Sequence, residues 1–212
     1  VHDPNVQNAI PLLSFENIYP TYDIVKSLIT NEKTLERDKD KLLVISPDTG
    51  AMDRAIYYSS VLGVDVGLFY KRRDHSLVVN GKNPIVNHEY MGRDVEGKDV
   101  LIVDDMIASG ESVLDIALEL KKRNAKNVYV ATTFAFFTEG LEKFNKYYND
   151  GIISRVYSTN LTYAPQELLD SEWFMSVDLS DFLSKIINRL NKGKSISPLM
   201  DATAVIRDLL VK

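Results

Sequence analysis

The densest chemistry in the chain lies in Val100-Leu101-Ile102-Val103-Asp104-Asp105-Met106-Ile107-Ala108-Ser109-Gly110-Glu111-Ser112. An apolar run delivers two adjacent carboxylates, a stretch of small and hydroxyl residues follows, and helical spacing begins at Val113. Loop amides, the Ser109 and Ser112 hydroxyls and the positive end of a helix can hold a dianionic phosphate without a lysine. Asp104 and Asp105 can accept hydrogen bonds from hydroxyls beside that phosphate, so the pattern suits a phosphorylated sugar. The alternative is a plain strand whose acids cap the next helix.

A second stretch, Val44-Ile45-Ser46-Pro47-Asp48-Thr49-Gly50-Ala51-Met52-Asp53-Arg54-Ala55, again sets an acid and small residues before a helical run. Two such loops in one sheet suit one ligand with two anionic ends, Asp48 holding Mg²⁺ against a diphosphate. As a bare turn, Asp48 would be a helix cap. A third run ends in Lys71-Arg72-Arg73-Asp74 and opens a long excursion. Cations at a strand's carboxyl end can meet charge that builds in a phosphoryl-transfer transition state; elsewhere they would be a solvated patch.

An apolar-Asp-Asp strand is also the second motif of P-loop ATPases. The partner motif fails: Gly193-Lys194-Ser195 is the single GKS, Asn188 stands where its first glycine belongs, and the tripeptide follows a helical run.

These residues need a frame. Apolar, β-rich runs recur at 41–46, 64–70, 99–105, 127–134, 154–160 and 173–179, separated by helical spacing at 52–62, 112–123, 138–148 and 181–190. Gly63, Asn124 and Gly193 stand where helices should stop. Strands apolar throughout, alternating with amphipathic helices, predict an α/β fold: a mostly parallel twisted sheet with helices on both faces, ligands binding at the strands' carboxyl ends. Residues 30–41 are highly charged and predict a solvated connection. The excursion over 71–95 is long enough for a lid, a binding loop or a small hairpin.

The 212 residues, 45% hydrophobic, suit one large domain. A net charge of −5 provides no basic field for nucleic acid or an anionic membrane, so anionic substrates must be held locally. No cysteine is present, which removes thiolate chemistry and disulfides and fits a reducing compartment; the cytoplasm is the expected location. No apolar run approaches a membrane span.

The strand and loop over 100–112 resemble the phosphoribosyl-binding signature of the phosphoribosyltransferase fold. Ser46-Pro47-Asp48, the small residues after it and Arg54-Ala55 are similar to the diphosphate loop of ribose-phosphate pyrophosphokinases. Lys71-Arg72-Arg73 resembles the start of their catalytic loop, and His2-Asp3-Pro4 the segment where the family's two halves meet. Val128 to Phe134, Thr159-Asn160 and Ser195-Ile196-Ser197 follow in the family's order.

The resemblance implies Mg²⁺-dependent transfer of the β,γ-diphosphoryl group of ATP to ribose 5-phosphate. Asp104, Asp105, Ala108, Ser109, Gly110, Glu111 and Ser112 would form the sugar-phosphate site, and Asp48, Thr49 and Gly50 the diphosphate site. Lys71 and Arg73 would be catalytic, with His2 and Asp48 at the metal. It further implies residues 1–24 as a linker from a missing N-terminal half, a binding domain over 25–212, and a dimer-based homo-oligomer, possibly a hexamer. Three residues depart from the pattern or strain it. Ala108 replaces an aspartate, Asp53 replaces a lysine, and Glu111 puts a carboxylate in a phosphate loop, where it must point away or pair with a cation. A nucleobase phosphoribosyltransferase and a non-catalytic regulator are the rival readings. His75 and His88 are assigned no role.

Overall fold

The computed structural model describes residues 2, 4–13, 15–36, 38–73 and 85–211; for 4, 71–73, 85–88 and 211 it describes the backbone alone. After a 3-10 turn (Pro4–Ala9), the elements run α1 (Thr21–Asn31), β1 (Leu42–Ser46), a second 3-10 turn (Thr49–Ala51), α2 (Met52–Leu62), β2 (Asp65–Arg73), β3 (Ile85–Met91) and β4 (Asp99–Ile107). Then come α3 (Glu111–Lys122), β5 (Asn127–Ala135), α4 (Glu142–Asn149), β6 (Arg155–Thr159), α5 (Gln166–Leu169), β7 (Phe174–Val177), α6 (Ser180–Asn191), α7 (Ser197–Met200) and α8 (Thr203–Val211).

The strands form one sheet in the order β3-β2-β1-β4-β5-β6-β7, parallel except for the β2–β3 pair. Every residue of β1 is buried, as a strand covered on both faces must be. Its alternation divides the core. Leu43 and Ile45 face Val113, Ile116, Leu120 and Phe144 of α3 and α4, while Leu42 and Val44 face Ile24 and Leu28 of α1, Ala55 and Tyr58 of α2, and Ile206 of α8. Helices therefore cover both faces, as the apolar strands require.

The chain leaves β1 toward β2 on one side and returns to β4 on the other, so β1 and β4 are neighbours and their carboxyl ends flank the topological switch point. Open α/β sheets bind ligands in this crevice. Both acid-bearing loops emerge there.

Helix boundaries follow local chemistry. Gly63, with φ of 70°, closes α2 by donating its N–H to the Ser59 carbonyl, and Asn124 takes φ of 62° after α3. The run expected over 138–148 begins its helix at Glu142, because Phe137 and Gly140 adopt positive φ and no helix can start through them.

Two expectations are corrected. The connection over 30–41 is not wholly solvated, since Leu35 is buried and Glu32 accepts a 2.7 Å hydrogen bond from Tyr157 Oη. The strand expected to end at residue 70 runs further: β2 continues through Arg73, paired antiparallel to β3 with Lys71 opposite His88 and a register shift at Arg72/Arg73. Of the three forms open to the excursion, the described part is that of a hairpin. Residues 74–84, His75 among them, lie outside the described residues. The boundary expected after residue 24 falls inside α1.

Candidate active site at the switch point

At the end of β4, Asp104 is partly exposed and Asp105 buried, and each is tied down by its surroundings. Asp104 Oδ1 accepts the Asp105 amide at 2.8 Å, and Asp105 Oδ2 lies 2.6 Å from His2 Nδ1. Across the crevice, Arg54 extends from the first turn of α2 and brings Nη1 to 3.9 Å from Asp104 Oδ1. A cavity of about 500 Å³ opens between them, lined by His2, Asp48, Gly50, Ala51, Arg54, Asp104, Asp105 and Met106.

The two acids differ electrostatically. Burial pushes the Asp104 carboxyl up, and the neighbouring Asp105 charge adds to this. Burial acts on Asp105 in the same direction, but the hydrogen bond from His2 and the charge of Arg54 overcome it and hold that carboxyl low. The pair thus favours one firmly ionised member beside one that gains a proton more readily.

The loop after β4 is shaped by its backbone. Ile107 and Ala108 carbonyls accept from the Phe136 and Thr138 amides at 2.8 and 2.9 Å, fixing the exit from the strand. Gly110 then takes φ of 88°, buried against the Phe144 ring, which a Cβ at that position would strike. Gly110 at the start of α3 brings no side-chain cap, and the helix begins directly at Glu111. Ser109 Oγ accepts only a long 3.4 Å contact from the Glu111 amide. Ala108 is exposed at the turn, where its backbone does the anchoring.

Glu111 does pair with a cation: Oε1 is 3.2 Å from Lys143 Nζ, which also binds Glu139 at 2.9 Å. The acid is thereby drawn off the loop. Glu111→Gln should tighten phosphate binding by about two- to fivefold at low salt, an effect expected to fade above physiological ionic strength. Titrating ribose 5-phosphate at two salt concentrations checks it; equal affinities of variant and parent at low salt would contradict it.

Two residues past the end of β1, Asp48 is the cap of the following 3-10 turn, Oδ1 accepting from Gly50 and Ala51 at 2.9 and 3.2 Å. Its second oxygen takes no part in that cap. Thr49 and Gly50 are exposed beside it. Asp53, where the family pattern has lysine, stands exposed in the first turn of α2, where a carboxylate favours the helix dipole.

The fold thus brings Asp48, Gly50, Asp104, Asp105 and His2 together, sets Thr49 beside them, and leaves residues 108–112 on a turn leaving the same strand end. Lys71 and Arg73 extend β2 past the carboxyl end of β1, and their side chains lie outside the described residues. His2 meets Asp105 directly, which local spacing could not show. Its imidazole value is raised chiefly by the hydrogen bond to Asp105. A raised value means that the contact is fully present below the free imidazole value of about 6.5 and is lost as pH climbs through the folded value. The His2 ring resonances should titrate above that free value and fall back to it in Asp105→Asn; identical midpoints would contradict the pairing.

Arg54 received no role from spacing, yet a signal was available. A cation in a helix's first turn opposes the macrodipole, so its presence there calls for a partner.

The fold and the crevice define a class. A phosphoribosyl transferase domain matches residues 14–159, and the chain belongs to that family. Within it, the sequence is similar to ribose-phosphate pyrophosphokinases. That of Pyrococcus abyssi is 32% identical over 166 residues, covering 76% of this chain and 52% of the relative. That of Vibrio cholerae serotype O1 is 30% identical over 183 residues, covering 86% and 55%. The chain therefore spans about half the length of these curated relatives. The fold agrees with the crystal structure of phosphoribosylpyrophosphate synthetase from Mycobacterium smegmatis, with a TM-score of 0.72 at 18% identity, covering 91% of this chain and 57% of that one.

Proposed function

We propose that this chain supplies the ribose-phosphate side of a ribose-phosphate pyrophosphokinase. The observation that carries the reading is the adjacency of the two acid-bearing strand ends across one cavity at the switch point. Ribose 5-phosphate would place its phosphate on the amides and hydroxyls of residues 108–112 and turn its ring hydroxyls to Asp104 and Asp105. Thr49, Gly50 and the free side of Asp48 would face the diphosphate of ATP. The anomeric oxygen then forms a bond to the β-phosphorus as the α,β-bridging bond breaks. AMP departs, the hydroxyl proton is released, and phosphoribosyl diphosphate remains.

Mg²⁺ fits as an ion carried on the nucleotide. Asp48 keeps one carboxylate oxygen outside its cap, and magnesium takes one or two carboxylates plus phosphate oxygens more readily than an all-protein cage. Among the described residues no three ligating side chains converge to form such a cage. When bound, the ion would neutralise phosphate charge. His2 would meet it through the ring edge turned away from Asp105. Lys71 and Arg73 would stabilise the charge developing on the transferred group.

The same reading implies a cytoplasmic, dimer-based homo-oligomer of up to six chains. Among the described residues no helix is long and apolar enough to cross a membrane. One observation favours the nucleobase phosphoribosyltransferase instead. An apolar cavity of about 240 Å³, walled by Phe134, Leu161 and Phe182, adjoins Asp105 and could hold a planar base. Incubation with Mg²⁺, ATP and ribose 5-phosphate separates the two. AMP formation that depends on the sugar supports the pyrophosphokinase. Diphosphate release that depends on a base, from phosphoribosyl diphosphate, supports the transferase.

A further inference from the structure

Arg54 stands apart from every other cation of α2 and α3. It occupies the third residue of α2, where the helix dipole disfavours positive charge, and its side chain is only 16% exposed. Both penalties need compensation. Asp104 supplies it at 3.9 Å, and Asp105 is one residue further along the same strand end. Arg54 is also common to all three cavities that open around the crevice, on the diphosphate-loop side, on the apolar side and between the two acids.

The central cavity carries three carboxylates, Asp48, Asp104 and Asp105, against one guanidinium and one imidazole. Adjacent buried carboxylates repel, and unaided they turn apart or cease to be good acceptors. His2 holds Asp105 from the open side, its own side chain being 75% exposed. Among the described residues, Arg54 is the cation that reaches the pair from within the fold.

We propose that Arg54 is a positioning residue for the sugar: its guanidinium holds Asp104 beside Asp105 with both carboxylates turned toward the ribose hydroxyls. This inference rests on the ribose-phosphate reading of the crevice and deepens it. Arg54 acts through the acid pair, by its approach to Asp104 and the reach of its charge to Asp105, and touches neither the nucleotide nor the transferred group. A direct diphosphate ligand at the same place would behave differently, because its loss would fall on the nucleotide.

The test is calorimetry on the full-length protein with two probes, ribose 5-phosphate and Mg-ATP. Arg54→Gln is expected to weaken ribose 5-phosphate by about tenfold, the effect of leaving a largely buried carboxylate without its ion-pair partner, and to leave Mg-ATP within about twofold of the parent. In an Asp104→Asn background the same change should add only about threefold, since the acid nearest to it is already altered while its charge still reaches Asp105. Arg54→Lys, which keeps the charge and guards against a folding defect, should stay within about threefold of the parent for the sugar.

Unchanged sugar affinity with weakened Mg-ATP would overturn the proposal in favour of direct nucleotide contact. An undiminished tenfold loss in the Asp104→Asn background would overturn it in favour of a general structural role. A parent protein that binds no ribose 5-phosphate would remove the reading of the crevice itself, a result distinct from either.

Discussion

Alanine at Lys71 or Arg73 is expected to lower kcat for sugar-dependent AMP formation by about 10²- to 10³-fold while leaving ribose 5-phosphate affinity within about twofold of the parent. Diphosphoryl transfer offers little covalent chemistry for a protein to perform, so the barrier falls through alignment and through positive charge held where the transition state becomes more negative. The backbone carries these two residues past the carboxyl end of β1, on the strand next to the Asp48 loop. The proposed sugar site, by contrast, would be built from β4 and α3, on the other side of β1. Binding and turnover should separate accordingly. Loss of sugar affinity equal to the loss of kcat would mean that β2 belongs to the sugar site instead. Unchanged kcat in both variants would favour the non-catalytic reading.

Gly110→Ala is expected to be the most damaging single-methyl change in the loop. The residue sits at φ of 88°, in a region that costs an L side chain about 1–2 kcal/mol, and the added methyl would meet the Phe144 ring. That ring cannot retreat cheaply. It is fully buried, packed edge-on to Phe137 at 4.8 Å and stacked on Trp173 at 5.2 Å, whose Nε1 is fixed by Asn145 at 2.7 Å. Strain and overpacking together should remove about 2–4 kcal/mol of stability. Urea unfolding would show it as a lower midpoint with an unchanged slope. The surviving folded protein should bind ribose 5-phosphate poorly, because the loop must lift away from the aromatic cluster. A midpoint equal to the parent's would mean that the turn at Gly110 is not held as described.

The parts legible in the sequence were those fixed by local pattern. Strands 99–105 and 127–134 carry the unbroken runs Val100 to Val103 and Val128 to Ala131 and became central parallel strands, and the helix over 52–62 has the same bounds in the structure because Gly63 can stop it. For Glu111 the sequence left two options, to point away or to pair with a cation, and the structure shows the pair with Lys143.

What escaped depends on chain-distant partners. His2 and Asp105 are 103 residues apart, and no spacing rule joins them. The extension of β2 through three cations is stabilised by antiparallel pairing to β3, which local propensity does not register. Helix α1 shows Ile24, Val25 and Leu28 at helical spacing, but the charged stretch that follows obscured it until packing under the sheet made those positions core.

The most direct test of the account is a crystal of the full-length protein soaked in ribose 5-phosphate. Density for the sugar with its phosphate on the amides of residues 108–112, its hydroxyls within hydrogen-bond reach of Asp104 and Asp105, and His2 displaced from or shared with Asp105 is the predicted result. The pentose bound elsewhere on the sheet, or that loop left bare at a saturating concentration, would contradict it.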